Sequence, residues 1–365
     1  MLILILRTIR ILIVDPVLFF SSLTLLLIGV ISLQASTGEN FHSLTSFTLN
    51  HIIFGLVGLL AMIAITYMPN QMLKTLAPSG YFVSLLLLAL VLLIGDESFG
   101  ATRWLRLGPL TFQPMELAKI STILMIAFVG SRYRPGPIPL CLVLIIAVIP
   151  TLMILSQPDL GSTLVLTFSC ILMIFIWGVP WKVVIAFGLL SVGLLPVAAS
   201  IVPSYQLDRI ATFIDPSRDP LGSGYTAKQI DLALNGSGLW GEGFFSESQA
   251  LAGIAVRNSD FVFAQWLEAT GAFGGILIIA LIILIVSRGI ATAVTQNIIF
   301  NQLAILGLTS LFAIQSLVHI GVNTRFIPTT GITLPLISAG GSSVISVFIL
   351  IGLLQSMNLK RSQYP

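Results

Sequence analysis

The chain has 365 residues, of which 56% are hydrophobic and 8% charged, with a formal net charge of +3. At a mean hydropathy of +1.04, that much apolar surface cannot be hidden inside one water-soluble core, which excludes a soluble globular protein. A charge so small, scattered over many loops, is no nucleic-acid footprint. About twenty apolar residues cross a bilayer's hydrocarbon, and runs of that length fall near 17–35, 50–68, 79–95, 113–131, 138–155, 160–178, 183–203, 262–287, 301–321 and 336–356. The expectation is an all-α polytopic membrane protein: one domain over 1–365 with about ten transmembrane helices. One large loop, about 204–261, separates helices 7 and 8.

Cytoplasmic loops of membrane proteins hold an excess of Lys and Arg. With ten spans both termini share one side, which collects Arg7, Arg10, Lys74, Arg132, Arg134, Lys182, Arg288, Lys360 and Arg361 with Asp15 as its only acid. That side is predicted to be the cytoplasm, its basic loops facing anionic membrane lipids. The acids of the other side, and the whole 204–261 loop, are predicted to lie outside.

In chain order, the first polar segment is Gly100 to Gly108, where Arg103 and Arg106 alternate with Trp104, Leu105 and Leu107, as in a stretch lying along the outer membrane surface. Gln113-Pro114 opens the fourth span, proline near the first turn where its missing N–H costs least. Glu116 and Lys119 follow at i and i+3, on one face and within reach of each other. They read either as a self-neutralising pair that holds helices together or as the lining of a cavity for a charged headgroup. Cys141 and Cys170 lie inside apolar runs and read as small hydrophobes.

Gln157-Pro158-Asp159-Leu160-Gly161 makes a tight turn that sets a carboxylate at the outer surface. Arg209 to Gln229, rich in Pro, Gly and Asp, reads as a rigid, turn-rich loop. Gly236 to Gly241 fits the spacing of a dinucleotide-binding loop, but no strand precedes it. Asp260 stands where Arg257-Asn258-Ser259 runs into the apolar segment Phe261-Val262-Phe263; ionisable groups at such a depth are costly and usually serve a cavity. Pro328 to Pro335 and Ser338 to Ser343 interrupt helical periodicity, so backbone groups there either meet a ligand or pack helices through small residues.

These blocks, taken together and in order, resemble the SEDS family, the group that includes RodA and FtsW. The matching stretches are Gly100 to Trp104, Gln113 to Lys119, Gln157 to Gly161, Arg209 to Gln229, Gly236 to Gly243, Asp260 to Phe263 and Pro328 to Ser343. Asp15-Pro16, the Gln157 turn and Gly178 to Trp181 resemble the RodA branch, whereas 322–335 is closer to FtsW; the balance favours RodA.

The resemblance implies a bacterial inner-membrane peptidoglycan glycosyltransferase that polymerises lipid II, with a class B penicillin-binding protein transpeptidase as partner. It implies that Asp260 is the catalytic base and that Glu116 and Lys119 shape the cavity. Arg103, Arg209 and Lys228 become candidates for phosphate contact; Asp159 and Glu268 join the candidate cavity set. A divalent cation, magnesium or manganese, fits pyrophosphate chemistry, although no metal cage is visible in the sequence. The competing expectations are a flippase for the lipid-linked precursor and a non-catalytic scaffold. The chain departs from the family pattern at Ala255-Val256, Asn258-Ser259 before Asp260, Ala269 after Glu268, Met115 and Ala339.

Overall fold

The computed structural model describes residues 14–36, 44–98, 101–107, 110–183, 204–244, 246, 250–254 and 256–359. The helices near the start of the chain are α1 (Pro16–Ala35), α2 (Ser46–Thr66) and α3 (Asn70–Ile94). Then come α4 (Pro114–Arg132), α5 (Pro137–Leu155) and α6 (Leu160–Ile176). The long loop carries α7 (Ser204–Ile214) and α8 (Ser223–Ser237), and the chain closes with α9 (Val262–Val294), α10 (Ile299–Asn323) and α11 (Gly341–Asn358). Eight of these are long and apolar enough to cross a membrane, and α6 is a shorter apolar helix of 17 residues. The expected span at 183–203 falls almost wholly outside the described residues, as do Arg7, Arg10, Lys360 and Arg361.

Short connections such as 67–69, 133–136 and 295–298 leave successive helices no choice but to run antiparallel. At the centre stand α4, α10 and α11, the most enclosed and the least apolar of the eight long spans. Helices that face other helices rather than lipid tolerate polar side chains, and Glu116, Lys119, Gln315 and Asn323 lie on α4 and α10. α2 lies along α11 because Gly352 has no side chain: a Cβ there would stand 2.8 Å from the Met62 carbonyl oxygen.

Three helix ends are fastened at one side by Asp15. Its Oδ1 caps α1 by accepting the Val17 and Leu18 N–H groups, while its Oδ2 accepts Arg288 Nη2 at 2.6 Å from the far end of α9 and Asn358 Nδ2 at 3.4 Å from the end of α11.

Two features depart from the sequence expectation. The alternating segment after α3 is a small antiparallel sheet, β1 (Asp96–Ser98), β2 (Ala101–Leu107) and β3 (Leu110–Phe112), in that spatial order. Alternation of basic and apolar residues has the period of a strand, and hairpin partners only three residues long left no independent pattern. The last span begins at Gly341, not at 336, because 328–340 is extended and turning chain.

The third notable feature is a break inside α9. Gly271 has φ 68°, so the helix cannot continue its hydrogen bonds, and lipid offers none in exchange. The segment after α8 supplies them: Glu242 and Gly243 N–H donate to the Glu268 and Ala269 carbonyls, and Ala272 and Phe273 N–H donate to those of Gly238 and Leu239. The glycine-rich 236–243 stretch is therefore a splice for a broken helix.

Candidate active site

The central helices and the segments flanking α9 enclose a cavity of about 490 Å³ whose walls include Arg103, Gln113, Glu116, Arg209, Asp260 and Thr333. Asp260 enters from the turn before α9. Its N–H donates to Val256 O at 2.9 Å, and its Oδ2 faces Gly331, whose φ of 71° turns the extended segment at that point. The same segment grips the residues before it: Ser338 Oγ donates to Ser259 O at 2.7 Å, and Ala339 N–H donates to Asn258 O at 2.8 Å. Ala339, one of the departures from the family pattern, serves here through its backbone.

Burial pushes the Asp260 carboxyl above the ordinary carboxylate range. The Ser259 hydroxyl and the charges of Arg209 and Arg103 draw it back down, and Asp159 adds to the upward push. A carboxyl lifted in this way and facing two guanidinium groups is suited to taking a proton from a hydroxyl.

Arg103 sits on the cavity wall with most of its donors committed. Nε donates to Gln157 O at 3.2 Å, Nη2 to Pro158 O, and Nη1 lies 3.9 Å from Asp159 Oδ2. It thereby pins the Gln157–Asp159 turn while presenting its positive charge to the cavity. Arg209 reaches the same wall from α7 and donates to Thr329 O at 3.4 Å.

Glu116 and Lys119 form the predicted pair. Lys119 Nζ donates to Glu116 Oε1 at 2.9 Å and to Gln315 Oε1 at 2.9 Å, while Glu116 Oε2 accepts Ser346 Oγ at 2.9 Å. Gln315 Nε2 continues to Thr333 O at 3.2 Å, and Thr333 Oγ1 meets Ser343 Oγ at 2.8 Å. The pair is a buried tie between α4, α10 and α11, and Glu116 also lines the cavity. His319 Nδ1 and His51 Nε2 hold the Ile332 and Leu336 carbonyls of the same wall segment.

Three expected site residues stand elsewhere. Asp159 is buried, caps α6 through the Ser162 N–H and hydroxyl, and pairs with Arg103 on the cavity wall. Glu268 is buried, does not line the cavity, and accepts the Ala250 N–H, tying the loop to α9. Lys228 is exposed on α8, away from the described cavity lining. The structure adds Gln315, Asn323, Ser338 and Ser346, none of which carries the charge that drew attention to the others.

Among the described residues no group of three or more His, Cys, Asp or Glu gathers to hold a metal. Asp159 and Glu116 already have partners, which leaves a divalent cation no ready protein cage among the described residues.

The FtsW/RodA/SpoVE family, described as cell cycle proteins, matches residues 14–363. The chain is 30% identical over 351 residues to the peptidoglycan glycosyltransferase MrdB of Escherichia coli K12, covering 95% of this chain and 94% of the relative. It is 33% identical over 360 residues to a probable peptidoglycan glycosyltransferase FtsW of Aliivibrio salmonicida, covering 93% and 88%. Among solved structures, the crystal structure of the rod shape determining protein RodA of Thermus thermophilus superposes with a TM-score of 0.72 at 28% identity, covering 96% of this chain and 98% of that one. A chain from a structure titled for coordination of polymerization and crosslinking by a peptidoglycan synthase complex superposes with a TM-score of 0.81 at 30% identity and the same coverage.

Proposed function

The chain belongs to the FtsW/RodA/SpoVE family and is a multi-pass inner-membrane peptidoglycan glycosyltransferase of cell-wall synthesis, and from that premise we propose that Asp260 is the base of its transfer reaction. The observation that carries this is the Asp260 carboxylate on the cavity wall, lifted by burial and drawn down by Arg209 and Arg103, whereas Glu116 on the same wall is already paired with Lys119.

The donor, lipid II, carries an α-linked sugar on a pyrophosphate, and the product linkage is β1,4. A single inverting displacement suffices: Asp260 takes the proton from the acceptor hydroxyl, that oxygen bonds to the donor's anomeric carbon, and the sugar–pyrophosphate bond breaks. The bonding pair departs with undecaprenyl pyrophosphate, so no carboxylic acid is needed on the leaving side, in contrast to the paired carboxylates of glycoside hydrolysis. Arg103 and Arg209 lie on the wall where charge builds on the leaving phosphates, which favours their binding and departure. A divalent cation would arrive with the pyrophosphate, coordinated mainly by phosphate oxygens and water.

The same reading gives the chain the RodA role in elongation, ten spans with both termini in the cytoplasm, and a class B penicillin-binding protein as partner. The partner is supported by the peptidoglycan synthase complex to which the fold is similar. The test is lipid II polymerisation by the purified chain, alone and with that partner, comparing wild type with Asp260→Asn. Glycan strands from wild type and none from the folded variant support the base. Strands from both overturn it, and strands from neither, with partner bound, turn the reading to a flippase or scaffold.

A further inference from the structure

We propose that Asn323, the last residue of α10, is a positioning residue for the transfer reaction that fixes the backbone of Asp260; this rests on Asp260 being the base. Its side chain is fully buried. Nδ2 donates to Asp260 O at 2.9 Å and to His319 O at 2.9 Å, while Oδ1 accepts the Ala264 N–H at 2.9 Å. One carboxamide therefore ties Asp260 to the first turn of α9.

The first N–H groups of a helix have no partner within it and need an outside acceptor. The residue preceding α9 is Phe261, which supplies no side-chain cap, so Asn323 caps α9 from another helix. Had that been its whole task, an oxygen alone would serve. The amide's other end is a donor, and it grips the carbonyl of the proposed base itself. The orientation of the amide follows from this arrangement, since turning it over would set its oxygen against two carbonyls and its N–H groups against another N–H.

Asp has two side-chain torsions, so the direction of its carboxylate is largely set by its backbone. A base works only within hydrogen-bond reach of the proton it takes, and misplacement by about 1 Å can cost about 10²-fold in rate. Substrate binding rests on other walls of the cavity, among them Arg103 and Arg209. Loosening Asp260 should therefore lower kcat and leave KM in place.

The experiment measures lipid II polymerisation by the full chain with its transpeptidase partner for wild type, Asn323→Ala, Asn323→Asp and Asp260→Ala, with thermal melting of each. Asn323→Asp keeps the acceptor for Ala264 and the side-chain shape but loses the donor to Asp260; it is assayed on the alkaline side, where the new carboxyl is ionised. The expected result is a fall in kcat of about 10- to 100-fold in both Asn323 variants, with KM for lipid II within about twofold; the acid limb of the pH profile stays in place in Asn323→Ala and moves toward alkaline pH in Asn323→Asp, whose new charge lies beside Asp260. If Asn323→Ala does not fold, Asn323→Asp alone decides. Wild-type kcat in a folded Asn323 variant overturns the proposal, and so does a rise in KM that accounts for the whole loss. Activity retained in Asp260→Ala would instead remove the base on which the proposal rests.

Discussion

Lys119 Nζ lies 2.9 Å from Glu116 Oε1 in a fully enclosed part of the bundle, with Gln315 and Ser346 taking the remaining near contacts of the two charges. Removing one member of a buried ion pair strands the other without water, at a cost of about 3–5 kcal/mol, whereas replacing both with neutral groups of similar shape is often tolerated. Lys119→Met is therefore expected to lower the melting temperature far more than the double variant Glu116→Gln, Lys119→Met. The double variant should still lose activity, because Gln315 then loses its anchor and the Thr333 wall loosens. Equal melting of the single and double variants would show that the two charges do not support each other.

Asp260 sets stability against function. Its native carboxyl is lifted by burial, so between the unfolded and folded values the native state binds the extra proton, and stability falls as pH rises through that window. Above it, the ionised group opposes folding. Asp260→Asn removes this penalty and is expected to melt at or above the wild-type temperature at neutral pH while losing polymerisation. A variant that melts well below wild type would assign Asp260 a structural role.

Arg209 is one of the groups that draws the Asp260 carboxyl down. In Arg209→Gln the carboxyl rises further, so the base is protonated at higher pH and the acid limb of kcat moves toward alkaline pH. KM for lipid II should rise as well, because the proposed phosphate contact is lost. A pH–rate profile that keeps its wild-type acid limb would uncouple Arg209 from the base.

Gly271 shows how a loop and a membrane helix are joined. A Cβ at this position would stand 2.4 Å from the Gly241 backbone nitrogen, and a side chain at positive φ carries a further penalty of about 1–2 kcal/mol. Gly271→Val should expel the 238–243 segment from α9, with a large fall in folded yield, while Gly253→Ala, where a Cβ meets nothing within 4 Å, serves as the mild control. Equal yields of the two variants would remove the splice as a folding requirement.

What could be read in advance follows a physical line. Asp260, Glu116 and Lys119 stood out because a charge in an apolar run demands a reason, and their placement agrees with that demand. Asp159 and Glu268 were equally visible as carboxylates, but each is tied to a backbone N–H group, at Ser162 and Ala250, and no pattern of side chains announces those. Gln315 and Asn323 carry no such signal, because single neutral amides in an apolar helix look like packing until the chain brings Thr333 and Asp260 against them. The sheet at 96–112 was hidden by the shortness of its outer strands, and the Gly271 break by a hydropathy that does not change across it.

Orientation is decided by labelling. Asp15 and Arg288 place the start of α1 and the end of α9 on one side, which the excess of Lys and Arg assigns to the cytoplasm. The loop between α8 and α9 must then be outside. Cys141 is exposed and Cys170 buried, so a chain carrying Cys141→Ala and Ser246→Cys has one accessible thiol by design. An impermeant maleimide added to intact spheroplasts should label it, and Cys141→Ala alone should stay unlabelled. Labelling of Ser246→Cys only after the membrane is opened would invert the assignment and move the cavity to the cytoplasmic side, where glycan strands are not assembled.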